Sequence, residues 1–404
     1  MKLYAQQGHG TGSDDRNRIL AGLRDGYLHG AIYSPKDYGA DRTIAALDVM
    51  AREFPAKDRL FDPQFYAAVV AHEPDGRFGK LMSGEDYPYF EPRRRAQLES
   101  ENRVRADLQA CLQFQNNLQV TAAIAPSIVI RQRFNSIEAV IAKNFIRNAK
   151  EIWTGIDKTR PVYATLAMDA EALQDRNELN EFLAEITILE QPPDGFYLLV
   201  NNPSSGISPE LVDPRTLAGW LYLNHSLKLN GFGVINGFSD ILTPFLSAAG
   251  GDAGATGWYS TQKVFSMDRF APPTPGGRRP VLRYLSKALL NSIRFDEFHR
   301  LRGAFPDIVN GLPTDTYYDE EAGSQPEDQL QEILQTWNSI ADFAGENEPP
   351  ELSQCLAWIQ ASKEFYGQIN MSPGMRLVGR SNGSHLESLE SGLRLFAELA
   401  EIEL

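Results

Sequence analysis

Residues 162–202 read VYATLAMDAEALQDRNELNEFLAEITILEQPPDGFYLLVNN, and their pattern is strand, helix, strand. Val162 to Met168 is a β-branched and apolar run, as a strand buried on both faces requires. Residues 177–189 place Leu179, Phe182, Leu183 and Ile186 at helical spacing, and Phe196 to Asn202 is apolar again until it ends in two amides. A strand joined to the next by one amphipathic helix is the unit of a parallel sheet. The unit recurs on both sides. Ala31 to Asp37 (AIYSPKD), Leu60 to Tyr66 (LFDPQFY), residues 121–130 (TAAIAPSIVI), Gly233 to Asp240 (GVINGFSD) and 254–260 (GATGWYS) are further strands with helical patterns between them. Counted from Ala31, these make seven, and Val281 to Ser286 (VLRYLS) is the candidate for the eighth. The expected fold is therefore α/β, a (β/α)8-like barrel of the TIM type over residues 1–292. A helical C-terminal region, 293–404, is appended to it, packed on or beside the barrel.

The breaks support these elements. Ser136 and Asp213 stand where helix caps are needed, Pro214 opens a helix, and Asn230-Gly231 closes it. Residues 72–92, with YPYF at 87–90, form an insertion of the length that usually serves as a lid or binding loop. The last helical segments, 326–343, 351–366 and 384–402, carry apolar stripes. Leu386, Leu389, Leu393 and Phe396 make the strongest one.

Composition narrows the class. The chain has 404 residues, 42% hydrophobic, enough for one barrel of roughly 250 residues and more. Its formal net charge is −14, which opposes a phosphate-tracking surface for nucleic acid, although Arg93, Arg94, Arg95, Arg103 and Arg105 crowd one short stretch. Cys111 and Cys355 lie in helical patterns far apart, which fits a reducing compartment. No apolar run reaches the 18 or so residues of a membrane span, and the first residues lack a signal-peptide core. The expected location is cytoplasmic.

Active sites of closed barrels lie just after the strands, and polar residues gather there. Lys36 and Asp37 follow the strand at Ala31. A lysine so placed can bind an anion or, once desolvated, act as base or Schiff-base nucleophile. Asp62 interrupts an aromatic strand, where a buried acid must find partners. It reads either as a general base or as a cap for the Asp-Pro turn, with Gln64 beside it and His72 beyond the same strand. Asp169 ends LAMD, and Asn201 ends the next strand. Asn236, Ser239 and Asp240 lie around GVINGF. Arg278, in PTPGGRR, is placed to clamp an anion, whereas the Gly-rich run 250–257 precedes its strand and reads as a tight turn. The proposed roles are Asp62, Lys36 and Asp169 in catalysis, and Asp37, His72, Asn201, Asn236, Ser239, Asp240 and Arg278 in ligand binding.

Several chemistries are argued down. There is no zinc spacing, P-loop, nucleophile elbow or dinucleotide fingerprint, and no motif names a metal or cofactor. Lys36 followed by Tyr38-Gly39 after a strand resembles the alanine-racemase type of PLP barrel. In that family three residues separate the lysine from the tyrosine, and here only Asp37 does, so no role is carried over. The strands GVINGF and GATGWYS resemble those of tRNA-guanine transglycosylases, whose zinc-binding cysteine cluster this chain lacks. That resemblance implies a nucleobase-handling transferase without zinc. The leading expectation is an enzyme acting on a small polar or anionic ligand by carboxylate acid–base chemistry, with hydrolase, lyase and transferase reactions all open. The rival is a non-catalytic interaction module, a degenerate barrel presenting its C-terminal helices to a protein partner.

Overall fold

Pairing between the first strand of the chain and the last strand of the sheet turns this sequence into a ring. The computed structural model describes residues 1–13, 16–73, 76–202, 213–272, 281–319, 329–345 and 348–404. Its first elements are β1 (Lys2–Gln6), α1 (Arg18–Arg24), β2 (Gly30–Tyr33), α2 (Ala40–Glu53), β3 (Asp58–Phe61), α3 (Arg95–Leu98) and α4 (Glu101–Asn116). Next come β4 (Ala123–Ala125), β5 (Val129–Ile130), α5 (Ile137–Ile156), β6 (Val162–Asp169), α6 (Arg176–Thr187), β7 (Gly195–Asn201) and α7 (Pro214–Leu229). Then follow β8 (Gly233–Asn236), α8 (Thr243–Ala248), β9 (Ala253–Thr256), α9 (Ser260–Lys263), β10 (Arg283–Ser286), β11 (Asn291–Arg294) and α10 (Phe295–Arg302). The chain finishes with α11 (Gln329–Ala344), α12 (Leu352–Met371) and α13 (His385–Ala400).

The sheet order is β3-β2-β1-β9-β8-β7-β6-β4, every pairing parallel. At the one seam without a ladder, between β3 and β4, Thr121 bridges: its N–H donates to the Arg59 carbonyl at 2.8 Å, and its Oγ1 accepts from the Arg59 N–H at 2.9 Å. The result is a nearly closed eight-strand α/β barrel. Pro126 splits the run 121–130, so β4 and β5 pair β6 separately.

Two expectations about the strands are corrected. The barrel begins at β1, and GATGWYS supplies its eighth strand, β9, rather than the seventh. VLRYLS is not in the barrel: its residues 283–286 form β10, paired antiparallel with β11 in a separate hairpin. The reason is that β1 pairs directly with β9, so no gap remains between them for a further strand. The cap of α1 is Asn17, whose side chain accepts from the Leu20 N–H.

Helices α1, α2, α4, α5, α6, α7 and α8 cover successive strands. The eighth position is filled late, by α11, which packs on α1, α8 and β1. Trp337 of α11 is fully buried, donates from Nε1 to the Thr256 carbonyl and meets Trp258 edge-on at 6.4 Å. Gly22 permits this approach, since a Cβ there would lie 2.8 Å from the Trp337 ring. Outside this layer α13 lies along α7, and Leu386, Leu389, Leu393 and Phe396 are buried. The stripe read as a partner surface thus faces the protein's own helix. Among the described residues no helix is long and apolar enough to cross a membrane.

Trp337→Ala should cost about 3–5 kcal/mol in urea unfolding, the usual scale for removing a buried tryptophan. Leu229→Ala, at a 73%-exposed site on α7, should stay within about 0.5 kcal/mol of the parent.

Candidate active site at the barrel mouth

Parity along β7 decides which side chains enter the barrel. Phe196, Leu198 and Val200 join the outer cluster with Leu217 and Leu221, so Tyr197 and Leu199 face the axis. Tyr197 crosses it: its hydroxyl lies 3.3 Å from Gln6 Oε1 at the end of β1 and 3.5 Å from Asp62 Oδ2 just past β3.

Asp62 is the centre of this group. Its N–H still pairs with the Tyr33 carbonyl, and Pro63 then ends the ladder. Oδ1 accepts from the Gln64 N–H at 2.9 Å, which caps a turn that places Gln64 at φ 52°. Oδ2 accepts from the Tyr66 hydroxyl at 2.9 Å. Asp62 is therefore both the turn cap and a buried acid. Burial pushes its carboxyl up to about 6, against the opposing pull of the Gln64 N–H, Tyr66, Arg269 and Tyr197.

Gln64 joins this acid to a cation. Its Oε1 accepts from the Lys36 N–H at 3.2 Å, and Lys36 Nζ donates to the Arg269 carbonyl at 2.7 Å, 5.4 Å from the Phe270 ring centroid. Burial draws the Lys36 ammonium down to about 8, helped by repulsion from Arg269 and Arg77 and resisted by Asp37. Arg269 is 8% exposed, with its guanidinium 5.0 Å from the Phe238 ring centroid and 5.9 Å from that of Phe270.

Above these groups opens a cavity of about 740 Å³. Its lining includes His9 after β1, Lys36 and Asp37 after β2, Tyr259 and Gln262 after β9, and Arg269. The His9 and Tyr259 rings meet at 4.9 Å. The insertion supplies another wall through Arg77 and Phe78. Arg77 N–H donates to the Phe270 carbonyl, its Nε donates to that of Ala271, and Phe78 stacks on Phe270 at 5.7 Å. Tyr87 and Tyr89 are buried and anchor the insertion by donating to the carbonyls of Tyr38 and Pro63.

Of the residues read from sequence, Lys36 and Asp37 line this cavity, while Asp62 is fully buried behind the lining and reaches Lys36 through Gln64. Asp169 and Asn201, in register on β6 and β7, bond each other at 2.6 Å. Asp169 also accepts from the Gln132 N–H, and Asn201 Oδ1 from the Met267 N–H. Asn236 faces outward to α7, accepting from Trp220 Nε1 and exchanging two bonds with Asn224. Ser239 bonds Thr243, and Asp240 accepts from Thr256. His72 is exposed and does not line the cavity. Arg278 lies outside the described residues. Sequence reading missed Gln6, Tyr66, Tyr197 and Arg269. An amide at the end of an apolar strand was a usable signal for Gln6, and nothing local marks Arg269. Among the described residues no three His, Cys, Asp or Glu side chains gather as a metal site. Comparison of the chain with models of protein families and with curated proteins gives no match.

The lifted Asp62 pKa has a thermodynamic consequence. The folded state binds this proton more tightly than the unfolded chain, so the associated stability is complete below about pH 4 and lost as pH rises through about 6. Asp62→Asn should therefore gain on the parent by about 2–3 kcal/mol between pH 4 and 8, read from denaturant unfolding at both pH values. A gain that shrinks with pH would show an acid stabilised in its charged form. By contrast, Asn236→Ala should lose about 1–3 kcal/mol at either pH, because it strips partners from buried Trp220 and Asn224.

Proposed function

We propose that this barrel is an enzyme acting on a small polar or anionic molecule bound in the mouth cavity, by carboxylate acid–base chemistry. The observation that carries this reading is a fully buried Asp62 whose pKa is lifted to about 6, at the C-terminal end of the strands beneath the cavity lining. A carboxyl at this value is mainly ionised at neutral pH yet retains strong proton affinity, which suits a general base. Burial also raises Asp107 to about 6, but Asp107 pairs with Arg93 and Arg103, whereas Asp62 has no salt bridge of 4.0 Å or less among the described residues.

The neighbouring groups fit supporting roles. Tyr66 and Tyr197 have pKa values raised by burial, so both stay protonated and hold the carboxylate from Oδ2. Asp62 takes the substrate proton, and Lys36, still mainly ammonium at neutral pH, faces the negative charge that develops. Asp37 stands at the rim of the same cavity.

The test is conversion of a library of small polar metabolites, followed by mass spectrometry. The parent should consume a substrate, with kcat/KM rising as pH passes through about 6, and Asp62→Asn should lose at least a hundredfold in rate, the range of one general base. Turnover by Asp62→Asn equal to the parent's would overturn the assignment.

A further inference from the structure

The polar atoms of this cluster that have no partner all share one sign. Gln6 Nε2, Gln64 Nε2 and Arg269 Nε and Nη1 are buried without a hydrogen-bond partner among the described residues. All four are donors. The orientation of Gln64 is fixed, because its Oε1 faces the Lys36 N–H, which can only donate. A buried donor left unsatisfied is costly, and a buried guanidinium costs more. Gln6 and Gln64 are fully buried and Arg269 is more than nine-tenths buried, so bulk water does not meet that need.

Charge points the same way. Lys36, Arg77 and Arg269 line one cavity in a chain of formal charge −14, and none of the three forms an ion pair among the described residues. Asp37 and Asp268 line it too, so among the described residues the lining keeps a net positive charge. The lone pairs of Asp62 that face its neighbours are taken by Gln64, Tyr66 and Tyr197. The Phe238 and Phe270 rings lie beside the Arg269 guanidinium, whose planar fork of N–H groups matches the two oxygens of a carboxylate or phosphoryl group.

We infer that the ligand of this cavity carries a terminal oxyanion, bound by Arg269 and Lys36, with the rest of the molecule directed toward the His9–Tyr259 ring pair. The inference rests on the functional reading above and names its substrate class. Carboxylate and phosphoryl ligands share this chemistry.

Isothermal titration of the full chain with inorganic phosphate and with malonate tests it. Saturable one-site binding of either probe at pH 7 is expected. Malonate binding alone assigns a carboxylate ligand, phosphate alone a phosphoryl one. Arg269→Met should weaken the bound probe at least tenfold, with Arg269→Lys between the two. Malonate or phosphate affinity should also fall between pH 7 and 9 in the parent and not in Lys36→Met, which itself binds several-fold more weakly. Should Arg269→Met fail to fold, Lys36→Met at a half-buried position still decides. Binding of neither anion, or parental affinity in the variants, overturns the inference. Asp62→Asn separates it from the catalytic reading. Anion affinity retained with turnover lost supports both. Anion affinity retained with parental turnover sinks only the acid–base assignment, whereas turnover lost in a protein that binds neither anion sinks only the oxyanion.

Discussion

Closure of the sheet between β1 and β9 is the constraint on which everything else in the molecule depends. It joins residues 2–5 to residues 253–256 and brings the loops after the first and last strands side by side. His9 and Tyr259 therefore meet, although 250 positions separate them. Closure also turns alternate side chains inward, so that Tyr197 from one wall can reach Gln6 and Asp62 from the other. An open sheet of the same strands would leave these three groups on a surface, where water would satisfy them and Asp62 would titrate as an ordinary carboxylate.

What was legible in the sequence follows from the range of the forces involved. Helices and most strands declare themselves through local periodicity, and Ser136, Asp213, Pro214 and Gly231 mark helix ends through chemistry confined to a few residues. The count of strands was not legible, because Val281 to Ser286 has as good a strand pattern as Lys2 to Gln6. Only pairing partners distinguish them, and pairing is decided by distant chain. Asp62 could be seen because an acid amid Leu60, Phe61, Phe65 and Tyr66 contradicts its surroundings. Arg269 could not, because its burial comes from Phe238 and Phe270, and Phe238 arrives from another loop.

The polar residues at the other strand ends show how far position alone can mislead. Asn236 ends its strand as Asp62 does, but period two sends Ile235 inward and Asn236 out to Trp220 and Asn224. Asp169 and Asn201 sit at equivalent heights on neighbouring strands and satisfy each other. Strand-end location thus selects a set of residues, and the parity of the strand and the presence of a closer partner then thin it. Lys36 and Asp37 remain because they line the cavity, and Asp62 because its partners, Gln64, Tyr66 and Tyr197, are neutral.

The late arrival of the eighth helix bears on how the chain is made. Strand β9 ends at Thr256, yet the helix that covers its seam with β1 begins only at Gln329. A ribosome adding about 5–20 residues each second emits that helix several seconds after the last strand. Through that interval the apolar groove that receives Trp337, with Leu28 and Trp258 at its edge, is uncovered on a nearly complete barrel. Transiently exposed apolar surface of this kind makes a partly folded chain prone to aggregate until the late helix covers it.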